Sequence, residues 1–368
     1  MQGNKRLTQH DIAKLAGVSQ ATVSLVLNGA QTGARIPVET RARVQQAIRE
    51  TGYVADPIAR RMAKGFNRIL GVFTYEPAFP IAHADFFTPF LFGIEEEAQA
   101  RNYDLLLLTG NGGAEQRKLF ADGNRLRIAD GCIVLGKAFD TAELEQLVKG
   151  DFPFVAIGRR DDAGGPVPYV GGDYVRATAS MVEQARALGH RRLAYIGPAG
   201  PAESIADRWK GFTGAMGKGV GLVLHVPRPQ ESAAALLDSV LEHGATAVFF
   251  YELADAVRFE SKAHARNLRF PADLSVVVLG SHLRAESSNT RFASYDIPRA
   301  EMGRQATAML VRRIEGLEEE VQQILLPCEP IQGETLGPAK TAARSKPRAA
   351  RASPSAVGAA NPLSRKKP

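Results

Sequence analysis

The chain has 368 residues, of which 45% are hydrophobic and 23% charged, and its formal net charge at pH 7 is +7. This length accommodates a small domain together with two domains of ordinary size. The sequence begins with polar residues and contains no long apolar run, which argues against a signal peptide or membrane-spanning helix and favours a cytoplasmic protein. Its two cysteines, Cys132 and Cys328, lie far apart in apolar runs, so we expect buried free thiols rather than a disulfide or a zinc site.

Charge is distributed unevenly along the chain. Residues 1–64 contain ten Lys/Arg and four Asp/Glu, and residues 337–368 contain eight basic residues and no acidic one. The segment between them is net acidic. A basic end on an acidic body concentrates the attraction for a polyanion at that end, although charge runs are more often plain solvated surface.

The first element has the pattern of a capped helix. Thr8, with Asp11 three residues later, matches the capping box, and Gly17 predicts the end of the helix. Its apolar face is predicted to comprise Ile12, Ala13, Leu15 and Ala16.

Two further helices follow. Ser19 is placed to cap a helix over 20–27, which stops at Asn28-Gly29, and a third helix is predicted from Val38 to Thr51. The third helix is expected to pack through Val44, Ala47 and Ile48. Two short helices joined by a tight turn indicate a helix-turn-helix, whose second helix lies in the major groove of DNA.

A short helix is predicted after the third one. Asp56 is a suitable N-cap, Pro57 suits the first helical position, and Gly65 ends the segment. Only about two turns fit, so this helix would be marginal in isolation.

From Ile69 onward, apolar runs alternate with helical segments such as Phe92–Arg101 and Tyr174–Leu188. This alternation predicts parallel sheets with helices on both faces, and the number of elements favours two α/β lobes with a ligand cleft beyond the strand ends. The predicted strands are Ile69–Thr74, Asp104–Thr109, Gly131–Leu135, Phe154–Ile157, Leu193–Gly197, Ala247–Tyr251 and Leu274–Leu279.

The segment from Leu7 to Gly29, which contains Asp-Ile-Ala-x-x-Ala-Gly-Val-Ser-x-x-Thr-Val-Ser, resembles the headpiece of the LacI/GalR family of bacterial transcriptional repressors. The order of elements out to about Thr335 is similar as well. The alternative is a three-helix module whose pattern reflects only core packing.

The resemblance implies a domain plan for the whole chain. A helix-turn-helix headpiece (1–54) and a hinge helix (55–65) would precede a two-lobed body (66–336) like a periplasmic binding protein. The first lobe would comprise about 66–166 and 293–319, and the second about 167–292 and 320–336. Residues 337–368 would form a disordered basic tail without leucine heptads, which favours a homodimer over a tetramer.

The resemblance also implies the DNA contacts. Gln20 and Ala21 occupy the main base-reading positions, and their chemistry suits adenine and a thymine methyl. Leu25 stands where Arg is common, and Met62 replaces the Leu that enters the minor groove, a role open to Met. The alternative for the hinge is a plain linker helix, and Arg35 either reaches DNA or is solvated. The implied DNA-binding residues are Thr8, Ser19, Gln20, Ala21, Thr22, Ser24, Leu25, Asn28, Arg60 and Met62.

The cleft would hold a small effector. Arg208 matches the family's Arg-x-x-Gly-Phe segment, where Arg hydrogen-bonds the ligand; the alternative is a helix-surface charge. Trp209 is expected to stack on a sugar face, and Phe86, with Phe79, His83 and Phe87, forms either pocket wall or core. The implied effector-binding residues are Phe86, Arg159, Arg208, Trp209, Tyr251, Glu252 and His282.

Two of these positions depart from the family. Tyr251-Glu252 stands in place of Asn-Asp, and Gly280-Ser281-His282 stands in place of Gly-Tyr-Asp. The family's preference for sugars is therefore open here, and a bulky or acidic effector, or a pocket without ligand, remains an alternative.

These features predict a sequence-specific DNA-binding regulator, a cytoplasmic repressor that is associated with the nucleoid when bound to DNA. A small carbohydrate-like ligand is expected to modulate its binding. The alternatives are a solute-binding module of a transport system and a ligand-independent DNA binder. No nucleophile elbow, P-loop or metal-binding helix is present, so neither an enzyme nor a metal or organic cofactor is expected.

Overall fold

The computed structural model describes residues 7–27, 36–54, 67–76, 86–109, 117–120, 125–200, 202–227, 232–280, 288–317 and 320–340. Several predicted positions lie outside these ranges. They are Asn28, Arg35, the hinge segment with Arg60 and Met62, Phe79, His83, His282 and the tail from 341 onward.

The headpiece consists of α1 (Gln9–Ala16), α2 (Gln20–Leu27) and α3 (Val38–Thr51), as predicted. The capping box is confirmed, because the Asp11 carboxylate accepts from the Thr8 backbone N–H at 2.9 Å and the Thr8 hydroxyl accepts from the Asp11 N–H at 3.4 Å. Gly17 follows α1 with a left-handed φ of 62°, which glycine adopts without strain.

A small core joins these three helices, and one prediction about it is wrong. The buried residues are Ile12, Ala13, Ala16, Val23, Val44, Ala47 and Tyr53. Leu15 is instead 63% exposed. At 100° per residue, positions 12, 13 and 16 share one face of α1, and position 15 falls beyond its edge.

The first lobe is built on a six-stranded sheet. Its strands are β1 (Ile69–Thr74), β2 (Asp104–Leu108), β3 (Gly131–Leu135), β4 (Phe154–Ile157), β5 (Tyr169–Gly172) and β11 (Gln323–Leu326). They lie in the order β11-β5-β4-β3-β1-β2, in which all pairs are parallel. The helices of this lobe include α4 (Thr88–Ala100), α5 (Thr141–Lys149) and α10 (Arg299–Ile314).

The second lobe is built on four strands, β6 (Arg192–Ile196), β7 (Gly221–Val226), β8 (Ala247–Phe250) and β9 (Ser275–Val278). They form a parallel sheet in the order β7-β6-β8-β9. Its helices are α6 (Tyr174–Ala187), α7 (Glu203–Ala215), α8 (Ala233–Glu242) and α9 (Leu253–Ala265). The seven predicted strands are confirmed to within about a residue, whereas β5, β7 and β11 were missed.

The crossings between lobes correct the predicted boundaries. β5 pairs with β4, and β11 pairs with β5, so residues 169–172 and 323–326 belong to the first lobe and not to the second. The chain therefore leaves the first sheet after Gly172 and again after Leu326. Two short strands form an antiparallel pair on the later connections between the lobes. β10 (Ser294–Tyr295) lies where the chain returns from the second lobe to the first, and β12 (Pro330–Ile331) lies where it leaves the first lobe again.

The beginning of the predicted tail is also corrected. The Gly337 N–H donates to the Ser275 hydroxyl at 3.1 Å, and its carbonyl accepts from the buried His190 ring at 2.9 Å. The Ala339 N–H donates to the Leu188 carbonyl. Residues 337–340 are thus docked on the second lobe, and these backbone contacts leave no sequence signature.

One hydrophobic core runs through both lobes. It contains Leu70 of β1, Tyr195 of β6, Phe249 of β8 and Tyr295 of β10. Cys132 and Cys328 are buried free thiols, as predicted. Within the described ranges, no helix has the length and apolar character needed to cross a bilayer.

Candidate DNA-binding surface and ligand cleft

The start of α2 presents the predicted base-reading residues to solvent. Ser19, Gln20 and Ala21 are exposed, while Val23 of the same helix is fully buried. The Ser19 hydroxyl accepts from the Thr22 N–H at 3.2 Å and caps the helix. The buried side therefore fixes the orientation of α2 and leaves its N-terminal residues free to contact DNA.

The other DNA-binding candidates within the headpiece differ in exposure. Thr8 is exposed, whereas Thr22, Ser24 and Leu25 are half-buried along α2. The hydroxyls of Thr8 and Ser19 already form hydrogen bonds within the helix caps. A DNA phosphate would therefore bind hydroxyls that also serve the caps.

A cavity opens between the two lobes, beyond the carboxyl ends of β3, β4, β8 and β9. Five of the predicted effector-binding residues line it: Phe86, Arg159, Arg208, Tyr251 and Glu252. This is the position in which open parallel sheets bind ligands, because the loops after the strands converge there.

Arg208 is held rigidly in the cavity wall. It lies on α7, is 6% exposed, and donates from Nε to the Leu279 carbonyl at 3.0 Å and from Nη1 to the Ser204 carbonyl at 2.8 Å. Its guanidinium lies 3.8 Å from the ring centroid of Tyr174. These contacts exclude the alternative of a helix-surface charge and leave Nη2 without a hydrogen-bond partner among the described residues.

Two consecutive arginines after β4 cross the cleft to α7. Arg159 pairs with Asp207 at 2.7 Å, and Arg160 pairs with Glu203 at 2.9 Å. The two carboxylates are one helical turn apart, so a single face of α7 meets both guanidiniums. Arg159 also pairs with Asp161. These ion pairs join the first lobe to the second.

Arg160 is the more buried of the two. It also donates to the Gly136 carbonyl at 2.8 Å and stacks 3.8 Å from the ring centroid of Phe139. Burial lowers the pKa of Arg160, and the charge of Glu203 opposes that effect. Glu203 is thus the counter-charge that compensates a buried cation.

Trp209 does not lie where the sequence predicted. It is absent from the cavity lining and stacks on His225 of β7, with ring centroids 4.6 Å apart and an interplanar angle of 29°. Tyr195 meets it edge-on at 5.1 Å. Neighbouring residues on a helix point about 100° apart, so the orientation that aims Arg208 into the cleft turns Trp209 toward the second sheet.

Sequence reasoning missed several lining residues. They are Lys137, Arg160, Tyr174, Ser204, Asp207 and Arg299, besides the apolar wall. The Arg159-Arg160 pair after a predicted strand was a usable signal for Arg160. Arg299 had no such signal, because it reaches the cavity from the start of α10, about 90 residues after Arg208.

The described residues contain no group of three or more His, Cys, Asp or Glu side chains arranged to hold a metal ion. The cavity chemistry rests on arginines, aromatic rings and two carboxylates, Asp207 and Glu252.

A helix-turn-helix headpiece followed by a two-lobed binding-protein body defines a class of DNA-binding regulators. Residues 8–56 match the family described as "Bacterial regulatory proteins, lacI family", and residues 182–336 match the "Periplasmic binding protein-like domain". The chain therefore combines a lacI-family DNA-binding headpiece with a periplasmic-binding-protein-like body, and it is a DNA-binding transcriptional regulator similar to members of that family.

Two relatives illustrate the similarity. The HTH-type transcriptional regulator CelR of Thermobifida fusca is 27% identical over 340 residues, which cover 89% of this chain and 97% of that protein. A solved structure of a CelR–cellobiose complex has a TM-score of 0.61 at 25% identity and covers 90% of this chain and 100% of that one. The lac repressor dimer bound to operator and the anti-inducer ONPF has a TM-score of 0.74 at 21% identity, with coverage of 90% and 100%.

Proposed function

We propose that the protein is a homodimeric repressor that binds a near-palindromic operator and whose affinity is adjusted by a small ligand in the inter-lobe cleft. It would act in the cytoplasm, on the nucleoid. The observation that carries this proposal is the convergence of Phe86, Arg159, Arg208, Tyr251 and Glu252 on one cavity. These residues come from both lobes and from four separate parts of the chain.

The geometry of the cleft supports coupling between ligand and DNA. A ligand that touches both walls prefers one arrangement of the lobes, and only such a differential preference shifts an equilibrium. Couplings of this kind are typically about 1–3 kcal/mol. The Arg159–Asp207 and Arg160–Glu203 pairs already join the walls, so a ligand would act on an existing set of inter-lobe contacts.

The relatives support the nature of the partners. One solved structure is a CelR complex with cellobiose, and another is a lac repressor dimer on its operator. By analogy, we propose a carbohydrate-like ligand and a dimer that presents two headpieces to successive half-sites.

The DNA assignment is tested at Gln20. An operator is first selected from a random-sequence duplex library, and binding is then measured by fluorescence anisotropy. Affinity for the selected operator should be on the order of 10⁻⁸ to 10⁻¹¹ M at physiological salt. Gln20→Ala should weaken it by about 1–3 kcal/mol for each lost base contact while leaving binding to random DNA unchanged.

The matched control is Gln45→Ala, an exposed glutamine on α3. It should leave both affinities unchanged. If Gln20→Ala also leaves the ratio of operator to random-DNA affinity unchanged, α2 is not the base-reading helix and the proposal fails.

A further inference from the structure

The two ion pairs that join the lobes differ in how they meet the cavity. Arg159 and Asp207 both line it, whereas Arg160 is the one partner of the other pair that does so. Glu203 lies one helical turn before Asp207 on α7, outside the lining. A ligand in the cavity can therefore touch both partners of the Arg159–Asp207 pair, but not the carboxylate of the second pair.

Asp207 is a buried acceptor that its ion pair does not saturate. The residue is 6% exposed, and its Oδ2 accepts from the Arg159 Nε–H at 2.7 Å. An ionised carboxylate has two oxygens with about four acceptor sites. The bond from Arg159 occupies one of them, so Asp207 can accept a further hydrogen bond from a group in the cavity.

The next residue on α7 supplies a complementary donor. Arg208 uses Nε and Nη1 for the carbonyls of Leu279 and Ser204, and its Nη2 has no hydrogen-bond partner among the described residues. Two consecutive residues thus present to one cavity a carboxylate that only accepts and a guanidinium that only donates. A hydroxyl group both donates and accepts, so a ligand with neighbouring hydroxyls would satisfy both side chains.

The two side chains are anchored to different lobes. Arg208 is bonded to the Leu279 carbonyl within the second lobe, whereas Asp207 is bonded to Arg159 of the first. Arg159 is held in turn by Asp161. The position of the Asp207 carboxylate therefore depends on how the lobes are arranged, while that of Arg208 is fixed inside one lobe.

We propose that Asp207 determines specificity for a polyhydroxylated ligand by accepting a hydrogen bond from a ligand hydroxyl beside Arg208, and that Arg159 is the positioning residue for Asp207. The inference rests on the proposed function, because it takes the cleft as the effector site. The ligand hydroxyl would bind best in the lobe arrangement in which Arg159 holds the carboxylate. Such a preference for one arrangement is what couples a ligand to the lobes.

The test removes one ligand hydroxyl at a time. The full chain is titrated by isothermal calorimetry with D-glucose, D-galactose, D-ribose and cellobiose, and each sugar that binds is compared with its monodeoxy analogues. Loss of the hydroxyl that meets Asp207 should weaken binding about tenfold or more, as expected for a hydrogen bond to a charged group.

Variants of the two carboxylates assign this hydroxyl. Asp207→Ala leaves no acceptor at that position, so the sugar and its deoxy analogue should bind to within about twofold of each other. Glu203→Gln is the matched control, because it breaks the neighbouring inter-lobe pair without altering the lining. It should change the affinities for the sugar and for the deoxy analogue by the same factor.

The positioning role of Arg159 is tested separately, with the Asp207 carboxylate left in place. Arg159→Gln should reduce the difference between sugar and deoxy analogue, and it should reduce the effect of saturating sugar on operator affinity, measured by fluorescence anisotropy. Arg159→Lys keeps the charge and should restore most of both. A merely structural role would lower thermal stability and leave both ratios unchanged.

Two results would overturn the inference. One is that none of the four sugars binds or that no monodeoxy analogue binds more weakly, and the other is an undiminished difference in Asp207→Ala. If Gln20→Ala still lowers operator selectivity, the proposed function stands and the role of Asp207 alone is rejected. Failure of Gln20→Ala to change that selectivity would instead reject the proposed function.

Discussion

In the headpiece, Gln20 and Ala21 are exposed on a helix that is held in the core by Val23; in the cleft, Arg160 and Arg208 are themselves buried. The headpiece separates the residues that fold it from the residues that would read DNA. The cleft uses the same side chains for both purposes, because its arginines bind backbone carbonyls and carboxylates of neighbouring elements. DNA specificity can therefore change without loss of stability, whereas changes in the cleft alter ligand binding and packing together.

The sharpest test of this separation lies within α1. Ile12 is fully buried and Leu15 is 63% exposed, three residues later on the same helix. Ile12→Ala should lower the free energy of unfolding of the headpiece by about 2–5 kcal/mol and abolish operator binding. Leu15→Ala should change it by less than about 0.5 kcal/mol.

Hydrogen exchange of the headpiece amides, followed by mass spectrometry on the full chain, measures both variants. Equal loss of protection in the two would mean that α1 is not oriented as described. The separation of faces in the headpiece would then break down.

A second test concerns the packing that holds Arg208 in place. A Cβ on Gly211 of α7 would lie 2.3 Å from the Val175 carbonyl oxygen of α6. Gly211→Ala should therefore force α7 away from α6, at a cost of about 1–3 kcal/mol in the free energy of unfolding. It should also weaken ligand binding, since Arg208 moves with the helix.

Gly214, on the same helix, provides the control. No described atom lies within 4 Å of its Cβ position, so Gly214→Ala should stabilise the protein by about 0.5–1 kcal/mol through helix propensity. Urea unfolding followed by Trp209 fluorescence measures both. A destabilising Gly214→Ala, or a neutral Gly211→Ala, would contradict this account of α7.

The smallest of these effects concerns the ion pairs across the cleft. Glu203→Gln leaves the cation of Arg160 without its counter-charge, although two backbone carbonyls still accept from it. We expect a loss of about 1–2 kcal/mol in the free energy of unfolding, together with a more open cleft in small-angle scattering.

Asp238→Asn serves as the comparison, because it removes one partner of the exposed pair with Arg266. Exposed pairs contribute little to stability, so no measurable change is expected. If the two variants behave alike, the Arg160–Glu203 pair is only a surface contact and does not hold the lobes together.

The sequence by itself determined the local structure of the headpiece. The Thr8–Asp11 capping box, Gly17 and Ser19 act within a few residues, so their consequences can be predicted without knowing the rest of the fold. The long apolar strands of the body were predictable for a similar reason, because buried parallel strands form continuous hydrophobic runs.

Only the tertiary structure decided the lobe boundaries. β5 ends in Gly171-Gly172, and β11 is an edge strand of alternating exposure, so neither resembles a buried strand in sequence. Their sheet membership follows from pairing with β4 and with each other, which is a relation between distant segments.

The tertiary structure also decided which neighbours share the cleft. Arg208 and Trp209 are adjacent in the chain but point to different walls, while Arg208 and Arg299 are remote in the chain and line one cavity. The charge of the cavity arises from this convergence. It depends on contacts between elements, and no local pattern of residues encodes such contacts.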